Sequence, residues 1–345
     1  DLRHAVGDGV MRIDLAGFGR EGVVPDHRRF IAMFERADRL GFDGVWFNEF
    51  HFNRDTLRYP STLMLGAEIL ARTERLRFGT SVLLIALQHP LILAEQVAQL
   101  DYQSGGRVDL GVGRSTAPET LAALGVDPKD TRARFERALA IMRGAWTQEA
   151  TSTSGPDWRF SDVAVGPPPV QKPHPPIYVA GYSPETIVFA ADNDLPLLFS
   201  LQPPETGQML IYRERLAKRG TVEPLRRSSL SRFILVGATE RAAGELVDTL
   251  LAQLNKRRAD RALKGGVPAP EPVTREQLLR EQAIAGVPER CIEQIAALVR
   301  ASGVEGLRCY FNGNGALPDE TAMPGMELFA REVVPALRRI VPLKA

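Results

Sequence analysis

Short apolar runs alternate with longer amphipathic stretches along almost the whole chain, and no other feature restricts its fold as much. A short buried run bounded by turn residues reads as a strand, and a stretch of helical periodicity as a helix. Their repetition builds β-α units and a parallel sheet. The first strand spans 11–17. Asp26 then offers an N-cap to a helix whose apolar stripe includes Phe30, Met33, Phe34, Ala37 and Leu40, and Gly41 stops it. A second strand is expected over 42–47, a helix over 61–71 and a third strand over 76–84. Pro90 opens a helix that runs to Leu100, followed by a strand at 107–112 and a helix at 132–146. Short buried strands at 177–180 and 195–199 flank a helix from Pro184, and strands at 233–236 and 306–310 complete the set. Eight strands in this order predict an α/β fold, a closed (β/α)8 TIM barrel with insertions, as a single domain over 11–340. An open doubly wound sheet is disfavoured, because Gly17-Phe-Gly19 lacks the third glycine of its phosphate turn.

Two segments interrupt the rhythm. Residues 151–176 are rich in Ser, Thr, Gly and Pro and read as a surface insertion. Residues 256–276 combine charge with Gly265-Gly266 and three prolines, which makes them a candidate mobile lid or a plain surface loop. The 43 basic and 42 acidic side chains leave a net charge of +1, so nothing draws the chain to nucleic acid or an anionic membrane. No apolar run is long enough to span a bilayer, and no secretory signal opens the chain. Cys291 and Cys309 are the only cysteines and match no metal-ligand spacing, so a reducing, cytoplasmic setting is expected, without a disulfide framework.

The second strand leads through Gly44-Val-Trp-Phe-Asn-Glu-Phe-His-Phe52 into Asn48, Glu49 and His51. A barrel delivers its chemistry from the C-terminal ends of its strands, and imidazole suits proton transfer near neutral pH. These three are the candidate catalytic residues; tying down the next loop by hydrogen bonds is the competing role. If the strand continues past Phe47, Glu49 and His51 share one side and Phe50 faces the other. Arg114 follows Gly111-Val-Gly113, where small residues let the backbone approach a ligand while a guanidinium pairs with an anion. Ser183 and Thr186 enter an expected helix, where hydroxyls and free N–H groups can hold a phosphate, although N-capping alone would also explain Ser183. No nucleophile elbow, Ser-His-Asp order or metal-ligand cluster supports hydrolysis or a metal site.

Taken in order, several stretches resemble the bacterial luciferase-like flavin monooxygenase superfamily. They are 41–52, 76–90, Leu100-Asp-Tyr-Gln-Ser-Gly-Gly-Arg107, Gly111-Val-Gly-Arg114, Pro176-Ile-Tyr-Val-Ala-Gly181, Gly286-Val-Pro-Glu-Arg-Cys291 and Met326-Glu-Leu-Phe-Ala-Arg-Glu-Val-Val-Pro335. The resemblance implies a barrel, usually a homodimer, that binds FMN at its C-terminal mouth. It further implies that a separate flavin reductase supplies the reduced form, FMNH2, and that O2 and a small organic substrate are the other partners. The absence of a Rossmann segment for a bound nicotinamide suits that arrangement. By the same resemblance, Ser81 and Val82 lie where the isoalloxazine ring rests on the third strand, often through a non-prolyl cis peptide. Arg114 and Arg132 match positions that contact the flavin phosphate and its surroundings. Gly181, Tyr182, Ser183 and Thr186 match the phosphate-binding turn, and Ser200 a polar position near the flavin after the sixth strand. The departure is at Phe50, where luciferases carry the histidine assigned to proton transfer, and at Gly113, where they carry a cysteine. Light emission from long-chain aldehydes is therefore not expected, and acid–base work falls to His51, Asn48, Glu49 or the substrate. Two other functions fit the same residues: a deazaflavin-dependent reductase or dehydrogenase, and a flavin-binding protein without turnover.

Overall fold

The computed structural model describes residues 11–19, 26–52, 59–114, 117–201 and 204–340. Strand β1 (Arg12–Ala16) leads into helix α1 (His27–Leu40). The Asp26 side chain accepts from the N–H groups of Arg28 and Arg29, and Gly41 ends the helix at φ 86°, a left-handed conformation that glycine adopts without a Cβ clash. Strand β2 (Gly44–Phe47) precedes α2 (Thr62–Arg72), which Ser61 caps. Strands β3 (Arg77–Thr80) and β4 (Leu83–Leu84) are followed by α3 (Pro90–Gln103), which has proline in its first turn. After β5 (Val108–Gly113) come α4 (Pro118–Ala123) and α5 (Thr131–Thr147). Strands β6 (Thr151–Ser154) and β7 (Arg159–Val163) pair as an antiparallel hairpin off the main sheet. The parallel pattern resumes with β8 (Ile177–Val179), α6 (Pro184–Asp192), α7 (Thr206–Lys218) and α8 (Glu223–Arg226). Strand β9 (Ser229–Val236), α9 (Glu240–Lys264), α10 (Arg275–Glu281) and β10 (Ala283–Gly286) follow. The chain closes with α11 (Pro288–Ser302), β11 (Gly306–Tyr310), and α12 (Ala322–Leu328), which passes through a π-turn at Phe329–Val333 into α13 (Val334–Ile340).

Neighbouring strands run β9-β11-β1-β2-β3-β5-β8, all parallel. Single bridges Val179–Leu197 and Leu198–Ser229 close the ring, so the expected (β/α)8 barrel forms. Four details differ from the sequence reading. The third strand is broken between Thr80 and Leu83 rather than continuous over 76–84. The sixth shrinks to Leu197 and Leu198, because Pro196 has no N–H to give a ladder. Strand β10, rich in Ala and Gly, carries little strand propensity and was not anticipated; it pairs with β9 on the side away from β11. Finally, residues 256–264 are helical, continuing α9, so the non-helical part of the 256–276 segment is confined to its second half. There Asn255 pins Val273 through both backbone groups, at 2.8 and 3.0 Å.

Alternate strand residues split into two cores. Ile13, Val45, Phe78, Leu110 and Leu307 pack against the helices with Phe34, Ile69 and Val97. Ala16, Trp46, Tyr178, Phe233 and Tyr310 belong to a separate cluster on the barrel's inner side. The N-terminal end of the barrel is plugged by charge. Asp109 receives Arg12 at 2.7 Å and Arg77 at 2.9 Å, while Asp14 receives Arg12 at 2.8 Å and the Trp46 indole N–H at 2.6 Å. Burial alone would raise the Asp109 carboxyl, but Arg12 and Arg77 hold it down at about 2. Gly79 is required here, since a Cβ would overlap the Trp46 ring. With that end filled, open space is left at the C-terminal mouth. Among the described residues no helix is long and apolar enough to cross a membrane.

Candidate active site

A cavity of about 920 Å³ opens where the chain leaves β2, β3, β5 and β8. Every site residue named from the sequence lines it: Asn48, Glu49, His51, Ser81, Val82, Arg114, Arg132, Gly181, Tyr182, Ser183, Thr186 and Ser200. Its size matches an ordinary cofactor site.

At one end, β2 stops at Phe47 and the strand alternation stops with it. Glu49, Phe50, His51 and Phe52 all line the cavity, so Phe50 is not turned to the opposite side. Phe50 also borders a small second cavity beside Phe18 and Tyr59. Glu49 is buried and fully engaged. One carboxylate oxygen accepts from His51 Nε2 at 2.6 Å and Gln88 Nε2 at 2.9 Å, the other from the Leu84 N–H at 2.6 Å. That hydrogen bond, and after it the Glu49 charge, raises the His51 pKa above its ordinary value against the opposing effect of burial. Glu49 therefore orients the imidazole and favours its protonated form. Asn48 does something else: its amide donates to the Ser81 carbonyl at 2.5 Å.

That carbonyl belongs to the Ser81-Val82 peptide, which is cis. Ser81 N–H donates to the Phe47 carbonyl at 2.6 Å, so the break in the third strand is anchored on β2. Gly113 on β5 lets Val82 lie against it; a Cβ there would come within 2.5 Å of a Val82 methyl. At the other end, Ser183 caps α6, accepting from the Thr186 N–H at 3.4 Å, and its hydroxyl lies 3.0 Å from the Thr186 hydroxyl. Arg132 on α5 reaches both hydroxyls at 3.4 and 3.5 Å. Gly181 is packed so closely that a Cβ would meet Thr186 at 2.6 Å. Arg132, two hydroxyls and the N-terminus of α6, with Arg114 lining the same cavity, can make an anion cradle, where Arg132 also lies 3.8 Å from each of Glu136 and Glu185. The walls between the ends include Phe135, Phe189 and Leu198. The donor set and the close glycines suit a planar ring system with a phosphate tail.

Residues 11–306 match the model of the luciferase-like monooxygenase family. The chain belongs to that family. It is accordingly an enzyme, an oxidoreductase. Within the family it is 36% identical over 163 residues to the uncharacterized protein y4wF of Sinorhizobium fredii, and there the match spans about half of each chain, 47%. It is 26% identical over 339 residues to the alkanal monooxygenase alpha chain of Photobacterium leiognathi, covering 90% of this chain and 93% of the relative. Among solved structures, monooxygenase RslO1 from Streptomyces bottropensis superposes with a TM-score of 0.77 at 25% identity, covering 94% and 99% of the two chains. The oxygenating constituent of 3,6-diketocamphane monooxygenase from Pseudomonas putida, in complex with FMN, gives 0.74 at 21% over 95% and 98%. An F420-dependent secondary alcohol dehydrogenase gives 0.73 at 17% over 95% and 99%, so the fold alone does not choose between cofactors.

Four further residues contribute to the site: Gln88, Glu119, Thr120 and Arg308. Gln88 holds Glu49, and its position two residues before Pro90 gave no hint of that. Glu119 and Thr120 reach the cavity from α4, a helix too short to stand out by periodicity. Arg308 supports Ser81 from β11. A charged residue within Gly306-Leu-Arg-Cys-Tyr310 was the available signal.

Proposed function

We propose that this chain is the oxygenase of a two-component system: it receives FMN in its reduced form from a separate flavin reductase and uses O2 to oxygenate a small organic substrate. The observation that carries this is one cavity lined both by Arg132 with the Ser183 and Thr186 hydroxyls and by an imidazole, His51, that Glu49 holds at 2.6 Å, with Ser81 and Val82 on the same wall. Bound reduced flavin would supply the electrons with which one oxygen atom enters the substrate and the other leaves as water. Arg114, Arg132, Ser183 and Thr186 would hold its phosphate, with Gly181 and Tyr182 forming the turn and Ser200 a further polar contact. Ser81 and Val82 would support the ring. Phe50, Phe135, Phe189 and Leu198 exclude water and favour an apolar or aromatic substrate. His51, whose protonated form Glu49 favours, serves as the proton donor. The working form is a cytoplasmic homodimer, and the 256–276 segment, helical as far as Lys264, serves as a lid; Arg257 in it donates to the Gly315 carbonyl beyond β11.

The test is to supply the protein with FMNH2 and isotopically heavy O2 in the presence of a small-molecule extract of producing cells. Heavy oxygen should enter a product only when protein and FMNH2 are both present. Absence of label, together with hydride transfer when a reduced deazaflavin replaces FMNH2, would assign the site to a reductase or dehydrogenase instead.

A further inference from the structure

Arg308 points inward from the middle of β11 with 2% of its surface exposed. A cation so far from water is costly unless a carboxylate pairs with it. Among the described residues Arg308 makes no ion pair. Its Nη1 donates to Ser81 Oγ at 2.9 Å and its Nη2 to the Phe199 carbonyl at 2.6 Å, both neutral oxygens, while its buried Nε has no partner. The nearby acids are already engaged, Asp14 by Arg12 and Trp46, Asp109 by Arg12 and Arg77. Burial lowers its pKa, more than Tyr310 and Asp14 raise it. Among the described residues this buried positive charge has no carboxylate of its own, and no part of the site uses it.

The charge has a definite outlet. Ser81 lines the cavity, and its hydroxyl oxygen is occupied by the guanidinium. Its own proton is left to donate elsewhere, and Asn48 fixes the same residue's carbonyl. The cavity wall at Ser81 therefore offers an O–H donor polarised by a full charge one hydrogen bond behind it, in a setting of low dielectric. We infer that Arg308 is a positioning residue that makes Ser81 a charge-backed donor, so that the cavity prefers an anionic ring to the neutral form of the same ring. For a flavin this means the reduced anion over the oxidised form, which is the selectivity needed to accept reduced flavin from a partner and release it once oxidised. The inference rests on the flavin reading above.

The experiment measures dissociation constants for oxidised and reduced FMN, the latter anaerobically, in wild type, Arg308→Met, Arg308→Lys, Ser81→Ala and the Arg308→Met/Ser81→Ala double variant. By linkage the logarithm of the ratio of the two constants sets the shift in midpoint potential of the bound flavin, which provides a second readout independent of activity. Wild type should favour the reduced form by roughly tenfold or more, the scale of one charge-assisted hydrogen bond. Arg308→Met and Ser81→Ala should each remove most of that preference, Arg308→Lys should keep part of it, and the double variant should lose no more than either single one. A merely structural Arg308 would weaken both forms alike and leave the ratio unchanged, which overturns the inference. If Arg308→Met does not fold, Ser81→Ala decides the matter. Wild-type protein with a ratio near one overturns the inference alone; wild-type protein that binds neither form overturns the flavin reading together with it.

Discussion

His51 keeps its proton to higher pH than a free imidazole because Glu49 accepts from it at 2.6 Å within a buried carboxylate that Gln88 and Leu84 hold in place. A raised folded pKa means that the pair stabilises the fold fully below the ordinary value near 6.5 and that this contribution fades as pH rises through the folded value. Glu49→Gln should therefore lower the His51 titration midpoint, as followed by its ring proton resonances; an unchanged midpoint would mean that another group sets it. His51→Gln keeps size and hydrogen bonding but removes the proton, and should cut turnover by about 100- to 10,000-fold with FMN affinity unaffected. At the opposite end of the cavity, Arg132→Ala and Arg114→Ala should each weaken FMN binding roughly tenfold or more, from about 1.5–3 kcal/mol per charge-assisted contact. Equilibrium titration would show it, and wild-type affinity in both variants would remove the phosphate from this corner. These groups meet in one cavity, and they could be picked out because their signals are local. A capping Ser183 with Thr186 three residues on, or a polar cluster after an apolar run, shows its chemistry within a few residues. Arg308 was not legible in the same way, since its meaning depends on Ser81, 227 positions away in the chain.

The same contrast holds for the elements. Helix boundaries set by side chain and glycine chemistry, such as Asp26, Gly41 and Ser61, were legible. Strand lengths were not, because pairing is decided by neighbours distant in sequence: the third strand gives way at Ser81-Val82 and the sixth survives as two bridged residues. Helix α9 is absent from the sequence reading, and residues 256–264, expected to be lid or loop, form its last turns because Lys, Arg and Ala all favour helix. Two glycines allow an element-level test. Gly113→Ala places a methyl 2.5 Å from the β-branched Val82, which has little room to turn. Overpacking of this kind typically costs about 1–3 kcal/mol, and here it should also displace the cavity wall and weaken FMN binding. Gly207→Ala on α7 meets nothing within 4 Å and should leave FMN affinity alone while raising stability by about 0.4–1 kcal/mol. Thermal unfolding and flavin titration on the two variants would separate packing from binding; equal affinity in both would show that the Gly113–Val82 contact does not shape the site.

For the molecule as a whole, the barrel is divided between a charged plug and an open mouth. Asp109 titrates at about 2 against an ordinary value of 3.8, so its contribution is complete above the unfolded value and is lost as pH falls from there toward the folded one. Asp109→Asn leaves Arg77 without a carboxylate and Arg12 with Asp14 alone, and should destabilise the protein by about 3–5 kcal/mol, seen as a lower Tm at neutral pH. Because the plug lies at the far end from the cavity, FMN affinity of the folded variant should hold; a large loss would mean that the two ends are coupled. Whether the mouth takes reduced FMN by its phosphate is decided by an anaerobic binding titration of wild type and Arg132→Ala with reduced FMN and with reduced riboflavin, which lacks that group. Wild type should bind reduced FMN saturably and reduced riboflavin at least roughly tenfold more weakly, and Arg132→Ala should lose most of that difference. Equal affinity of wild type for the two flavins, or no binding of reduced FMN, would contradict binding by the phosphate.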